Sequence, residues 1–159
     1  MKAVLFVAAL LAVTFTPFVS HARDGENPGK QDYSFGSPAK LDDATRTIKV
    51  TASDDMKFTP SEITIKQGTT VKFVVTNTGH MVHEFVIGDV PFQEAHERMM
   101  RDMPGMDHGN DPNALTLQPG QTKSIAWTFD KRPSAPIEIA CHQPGHYASG
   151  MKIEVRLVK

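Results

Sequence analysis

The sequence is poor in cysteine, has no excess of either charge and contains no long hydrophobic run beyond residue 22. Cys141 is the only cysteine among 159 residues, which excludes an intrachain disulfide. The 17 basic and 18 acidic residues give a net charge of −1, without the basic surface typical of nucleic-acid binding. No later segment resembles a membrane span or a basic amphipathic helix. We therefore expect neither a nucleic-acid partner nor, after signal cleavage, a membrane partner.

The first 22 residues have the features of a secretory signal peptide. Lys2 precedes an apolar run from Ala3 to Val13, and Ser20 and Ala22 place small residues at positions −3 and −1 of a cleavage site. The alternative is a retained anchor, but the run is shorter than the roughly 20 apolar residues of a spanning helix. Cleavage would leave 159 − 22 = 137 residues, enough for one domain in the periplasm.

The remaining chain divides into an arm and one domain. Residues 23–45 are rich in glycine, proline and charged residues, and we interpret them as a mobile N-terminal arm packed locally through Tyr33 and Phe35. Residues 46–159 show short alternating runs separated by turn residues. The predicted strands are Thr47–Ser53, Glu62–Lys66, Thr69–Asn77, Val82–Gly88, Gln121–Phe129, Pro136–Cys141 and Met151–Val158. Such strands, with few helices between them, predict an all-β antiparallel sandwich.

Strand alternation places three potential metal ligands on core-facing positions. His83, Cys141 and Met151 are each in phase with the apolar residues of their strand, such as Ile87 for His83 and Ile153 for Met151. An imidazole on the core side of a strand is unusual, whereas a single buried cysteine or methionine is ordinary packing.

The segment that begins at Cys141 has the spacing C-x4-H-x4-M, which adds His146 on a loop and ends at Met151. Together with His83 it offers two imidazoles, one thiolate and one thioether, the set that suits copper in an electron-transfer site. Zinc is the alternative metal, but zinc rarely takes a thioether and usually gathers more thiolates. The pattern therefore favours one copper ion.

Two other histidines lie out of phase with these positions. His80 falls beside the turn at Gly79, three residues before His83, and is expected outside the site. His142 follows Cys141 directly, and such a pair can connect a copper centre to a second copper. No further histidine cluster completes a second site of that kind, so a solvent-facing side chain is predicted for His142.

One segment breaks the β pattern. Asp89 to Met103 opens with a potential helix cap, has Pro91 near the first turn and is rich in helix formers, which predicts a short helical insertion followed by a loop over 104–113. The insertion contains a possible secondary Cu(I) site formed by His96, Met99, Met100, Met103, Met106 and His108. A methionine stripe is more often a packing surface, although the segment is otherwise polar, and both interpretations stay open.

The run Asn77-Thr-Gly-His-Met-Val-His83-Glu-Phe and the C-x4-H-x4-M loop resemble the cupredoxins, the family of plastocyanin, azurin and rusticyanin, over roughly residues 46–158. The resemblance implies a Greek-key β-sandwich with copper near one end, held by His83 and by the loop ligands Cys141, His146 and Met151. Glu84 departs from plastocyanin, which has at that position an asparagine that helps tie the ligand loops together.

The chain resembles in particular the CopI-type periplasmic cupredoxins linked to copper tolerance. The shared features are the His-Glu-Phe-Val-Ile-Gly run, the Pro-Gly-His-Tyr loop and a Met/His-rich insertion. We therefore hypothesise a monomeric, non-enzymatic protein that cycles copper between Cu(I) and Cu(II), exchanges electrons with an unidentified redox partner and serves copper tolerance. The alternatives are a respiratory electron shuttle without a role in tolerance and a copper enzyme such as a nitrite reductase.

Overall fold

Over residues 32–103 and 111–159, which the computed structural model describes, the chain folds into two five-stranded sheets and one α-helix. The first sheet has the order β1-β8-β5-β2-β3 and the second β4-β10-β9-β6-β7. The strands are β1 Ser37–Pro38, β2 Arg46–Ser53, β3 Lys57–Thr59, β4 Glu62–Lys66, β5 Thr70–Asn77, β6 His83–Asp89, β7 Ala114–Leu117, β8 Thr122–Thr128, β9 Ile137–Ala140 and β10 Lys152–Val158, with helix α1 at Val90–Asp102 and a 3-10 turn at Leu41–Asp43.

The core lies between the two sheets and is built from alternate residues of each strand. In β5, Val71, Phe73 and Val75 are fully buried, while the residues between them are less so. Phe73 meets Phe85 of β6 across the sheets, with ring centroids 5.3 Å apart. Side chains of a strand alternate between its faces, so one apolar face from each sheet closes the sandwich. The predicted all-β sandwich with a helical insertion is confirmed.

Helix α1 begins where the sequence predicted and covers the outer face of the second sheet. The side chain of Asp89 caps the helix by accepting a hydrogen bond from the backbone N–H of Phe92 at 3.0 Å. The side-chain amide of Gln93 donates to the carbonyls of Val86 in β6 and Glu138 in β9, at 2.8 and 3.0 Å. Because the helix lies on this face, all seven residues of β6 are buried.

The prediction of an antiparallel sandwich is wrong for two of the strand pairs. β2 pairs with β5 in parallel, and β4 pairs with β10 in parallel. Alternation reports which face a residue occupies but not the direction of the neighbouring strand, so the two arrangements cannot be distinguished from single strands. The three strands that the sequence did not predict, β1, β3 and β7, have only two to four residues each.

Residues 32–45, which the sequence analysis assigns to the N-terminal arm, pack onto the domain through Tyr33 and Phe35, as the sequence indicated. Tyr33 and Phe35 are 4% and 1% exposed and belong to the main core, where Phe35 stacks on Trp127 with centroids 5.4 Å apart. The indole N–H of Trp127 donates to the carbonyl of Phe35 at 3.3 Å, and β1 pairs with β8. The predicted signal peptide and residues 23–31 lie outside the described residues. Within the described ranges, no helix has the length and apolar character needed to cross a bilayer.

Candidate metal centre

Three neighbouring strands of the second sheet bring the predicted ligands to one end of the sandwich. His83 is the first residue of β6, Cys141 follows β9, and Met151 immediately precedes β10. These strands lie in the order β10-β9-β6, with both pairs antiparallel. The end of β9 therefore lies beside the start of each neighbour, and residues distant in sequence converge.

The side chains of His83, Cys141 and His146 form a compact cluster. The sulfur of Cys141 is 3.3 Å from Nδ1 of His146 and 3.9 Å from Nδ1 of His83. The potential ligand atoms of the three lie within 4.8 Å of one another, and no other such group of His, Cys, Asp or Glu occurs among residues 32–103 and 111–159. All three residues are buried, with His146 the most exposed at 6%.

Met151 is fully buried, and its backbone is hydrogen-bonded to two residues of this cluster. Its N–H donates to the carbonyl of His146, and its carbonyl accepts from the N–H of Cys141, each at 3.1 Å. Gly145 and Gly150 both have φ of 84°, a conformation that favours glycine and lets the segment between the two strands turn back on itself. The role of the Met151 thioether as a ligand stays a prediction.

Asp54, which the sequence reasoning missed, orients His83 from the outside. Its Oδ1 lies 3.3 Å from Nε2 of His83, the ring nitrogen that faces away from the sulfur. The backbone N–H groups of His80 and Met81 donate to the same carboxylate at 2.7 and 3.2 Å. These bonds, with that of the His80 backbone the largest contribution, lower the pKa of Asp54 to about 2. An ionised carboxylate here holds the His83 ring with Nδ1 directed toward the cluster. As predicted, the side chain of His80 is outside, 97% exposed.

Glu84 ties the ligand segments together even though it replaces the asparagine of plastocyanin. Its side-chain Oε1 accepts a hydrogen bond from the amide of Gln143 at 3.1 Å, and its backbone N–H donates to the sulfur of Cys141 at 3.3 Å. The strand of His83 is thus joined to the segment that contains Cys141 and His146. Glu84 is out of phase with the core-facing residues of β6, yet its side chain is buried.

Burial decides the electrostatics of the cluster. It raises the pKa of the Cys141 thiol to about 12, although the backbone N–H groups of Glu84 and Gln143 act in the opposite direction. Burial also lowers the pKa of His146, and the neighbouring His83 lowers it further. Without metal, the thiol is therefore protonated near pH 7, and the His146 imidazole is uncharged and can act as a ligand.

The prediction that His142 faces solvent is wrong. Its side chain points away from the sulfur, as parity requires, but it is fully buried beneath α1. Its Nδ1 lies 2.8 Å from a carboxylate oxygen of Glu97, and its Nε2 lies 2.7 Å from the amide oxygen of Gln93. Its ring also packs against His96 and Tyr147, with centroids 4.7 and 4.8 Å apart.

The predicted secondary copper residues lie on different sides of α1. His96 and Met100 are buried, and the His96 ring stacks on Phe92 with centroids 6.0 Å apart. Met99 is partly exposed and Met103 is 45% exposed. Met106 and His108 lie outside the described residues. The four described members therefore form two separate pairs, each spaced one helical turn apart.

Comparison with known proteins identifies copper-binding relatives. The profile of copper binding proteins of the plastocyanin/azurin family matches residues 44–158. A protein of Rubrivivax gelatinosus described as copper-resistant cuproprotein CopI is 41% identical, over 97% of this chain and 95% of its own length. A protein of Vibrio cholerae serotype O1 with the same description is 34% identical, over 98% of both chains.

The fold is also found among solved structures. Auracyanin from the photosynthetic bacterium Roseiflexus castenholzii superposes with a TM-score of 0.60 at 24% identity, covering 73% of this chain and 99% of its own. Auracyanin B superposes with the same TM-score at 22% identity, covering 78% of this chain and 96% of its own. At this level of identity the similarity concerns the fold alone.

Proposed function

Because the chain belongs to the plastocyanin/azurin family of copper-binding proteins, we propose that His83, Cys141 and His146 hold one copper ion, with Met151 as a weak fourth ligand. The observation that carries this proposal is the buried cluster, in which two imidazole nitrogens lie 3.3 and 3.9 Å from one sulfur. A mixture of one thiolate and two imidazoles suits both oxidation states of copper better than it suits zinc.

The surrounding protein keeps this ligand set in place. Bound copper would supply a one-electron couple between Cu(I) and Cu(II). Asp54 fixes the ring of His83, and Glu84 links that strand to the Cys141 segment through Gln143. Because the ligands are buried and these hydrogen bonds hold their segments, the ligands have little freedom to rearrange when the charge on the metal changes. His146, the most exposed of the three, is the expected route for electrons to and from a redox partner.

We infer a role in copper tolerance rather than in respiration alone. The relatives from Rubrivivax gelatinosus and Vibrio cholerae are described as copper-resistant cuproproteins and align with nearly the whole chain. In this proposal the protein is exported to the periplasm, acts as a monomer without enzymatic turnover and handles copper as well as electrons. A weaker Cu(I) site on the outer side of α1, at Met99 and Met103, extends the same role.

Copper loading tests the main site. Protein titrated with Cu(II) is expected to develop an intense visible thiolate-to-copper absorption and a matching paramagnetic signal at one copper per chain. Cys141→Ala should lose both, and survival of the absorption in this variant would reject the assignment. In a separate titration with Cu(I), a stoichiometry above one that falls to one in Met99→Leu/Met103→Leu would support the second site.

The biological role is separable from the binding chemistry. A deletion strain is expected to grow poorly in excess copper, and the intact gene should restore growth where the Cys141→Ala gene does not. A respiratory defect without copper sensitivity would favour the electron-shuttle alternative instead.

A further inference from the structure

The side chain of His142 joins the copper segment to helix α1 through both of its ring nitrogens. Nε2 lies 2.7 Å from Oε1 of Gln93, and Nδ1 lies 2.8 Å from Oε2 of Glu97. His142 is adjacent to Cys141 in sequence, but its ring is on the opposite side of the chain from the cluster and is fully buried. It is not one of the proposed ligands, so its burial requires a different explanation.

The orientation of Gln93 determines what His142 must donate. The amide nitrogen of Gln93 donates to the carbonyls of Val86 and Glu138, at 2.8 and 3.0 Å, which leaves its amide oxygen facing His142. An amide oxygen only accepts hydrogen bonds, so the His142 ring donates to it from Nε2. The other ring nitrogen, Nδ1, shares a second hydrogen bond with the Glu97 carboxyl group.

These contacts connect α1 with the backbone that presents the sulfur. Gln93 is bonded to β6, which begins at His83, and to β9, which leads into Cys141. With two hydrogen bonds on one ring, His142 has little freedom to rotate. Since His142 and Cys141 are consecutive residues on opposite sides of the chain, fixing the first ring also fixes the direction of the second side chain.

We propose that His142 is a positioning residue for the copper centre: its paired hydrogen bonds to Gln93 and Glu97 on α1 set how Cys141 presents its sulfur to the metal. This inference rests on the proposed copper function. It gives α1 a structural task at the metal centre that is independent of any metal bound by the methionines on its outer side.

The test uses three variants of the full chain that each replace one glutamate of α1. Glu97→Leu removes the hydrogen-bond partner of Nδ1, Glu97→Gln keeps an amide that can still bond to Nδ1, and Glu94→Leu removes an exposed side chain one turn earlier. Each protein is loaded with copper, and its thiolate-to-copper absorption, paramagnetic spectrum and rate of Cu(I) loss to a chelator are measured.

Glu97→Leu is expected to shift the absorption band and to lose Cu(I) about tenfold faster than the wild-type protein. This is the smallest effect typical of removing a group that hydrogen-bonds to support metal ligands. Glu97→Gln and Glu94→Leu should retain the wild-type spectrum and rate. A Glu97→Leu spectrum and rate equal to those of Glu94→Leu would overturn the proposal, because the loss of the hydrogen bond to His142 would then have no effect of its own on the copper centre.

His142→Phe provides a second measurement, since the new ring can still pack against His96 and Tyr147 but donates no hydrogen bond. We expect the same band shift as in Glu97→Leu, and an unshifted band would again contradict the proposal. If the wild-type protein itself shows no thiolate-to-copper absorption, the proposed copper site is wrong. If the wild-type band is present and none of these variants alters it, only the positioning role of His142 is wrong.

Discussion

Copper binding is expected to release one proton per ion, and this proton comes from Cys141. Burial raises the pKa of the thiol to about 12, so at pH 7 only about one molecule in 10⁵ carries a thiolate. Forming the thiolate at pH 7 costs about 7 kcal/mol, about 4 kcal/mol more than for a thiol with the ordinary pKa of 9.0. The metal must supply this free energy, since a cysteine binds as a thiolate.

The pH dependence of copper affinity follows with a definite sign. Because the pKa of His146 is lowered from 6.5, its imidazole is already neutral above pH 7 and releases no proton there. The thiol titrates against the metal, so the dissociation constant should fall about tenfold for each unit of pH between 7 and 9. Competition with a chelator of known pH behaviour measures the constant, and a pH indicator in weakly buffered solution counts the protons.

A Cys141→Ala control should release no proton on addition of copper. The reasoning is refuted if wild-type protein binds copper without proton release and with an affinity independent of pH. That outcome would mean that the hydrogen bonds from the backbone of Glu84 and Gln143 outweigh burial and hold a preformed thiolate.

Three further perturbations test other parts of the structure. Asp54→Asn removes the carboxylate that orients His83 and should weaken copper binding by about 10- to 100-fold in a chelator competition, whereas Asp55→Asn, an adjacent exposed carboxylate, should have no effect. Phe35→Ala should lower the free energy of unfolding by about 3–5 kcal/mol in a denaturant titration, because the ring is buried against Trp127; a loss below 1 kcal/mol would support the mobile arm instead. Asp89→Ala removes the helix cap and should cost about 1 kcal/mol in the same titration, and an unchanged midpoint would show that the cap contributes nothing.

Alternation along the strands was sufficient to predict the burial of His83, Cys141 and Met151, because the inner faces of a sandwich are buried whatever the strand order. It was insufficient for His142 and Glu84. Both are out of phase with the core-facing residues, yet His142 is buried beneath α1 and Glu84 is buried against Gln143, contacts between segments that no local pattern encodes. The side of a strand can thus be predicted from sequence, but what lies against it cannot.

Long-range contacts account for the remaining differences. Asp54 reaches His83 across 29 positions, and Phe35 meets Trp127 across 92. Neither residue has a distinctive neighbourhood in sequence: Asp54 lies in a polar turn, and Phe35 follows a stretch rich in glycine and charged residues. Their positions depend on the packing of the two sheets, which is determined only when the whole domain is assembled.

The position of β10 has a consequence for the order in which the metal centre can be completed. This strand is the last of the described strands along the chain, yet it lies inside the second sheet, between β4 and β9. Until it inserts, β4 is separated from the strands that contain His83 and lead into Cys141, and Met151 has no fixed place. A ribosome delivers β10 after every other described strand, so a partly emerged chain would offer copper an incomplete set of the proposed ligands. In the proposed site, the ligand set would therefore be complete only after this last strand has emerged and inserted.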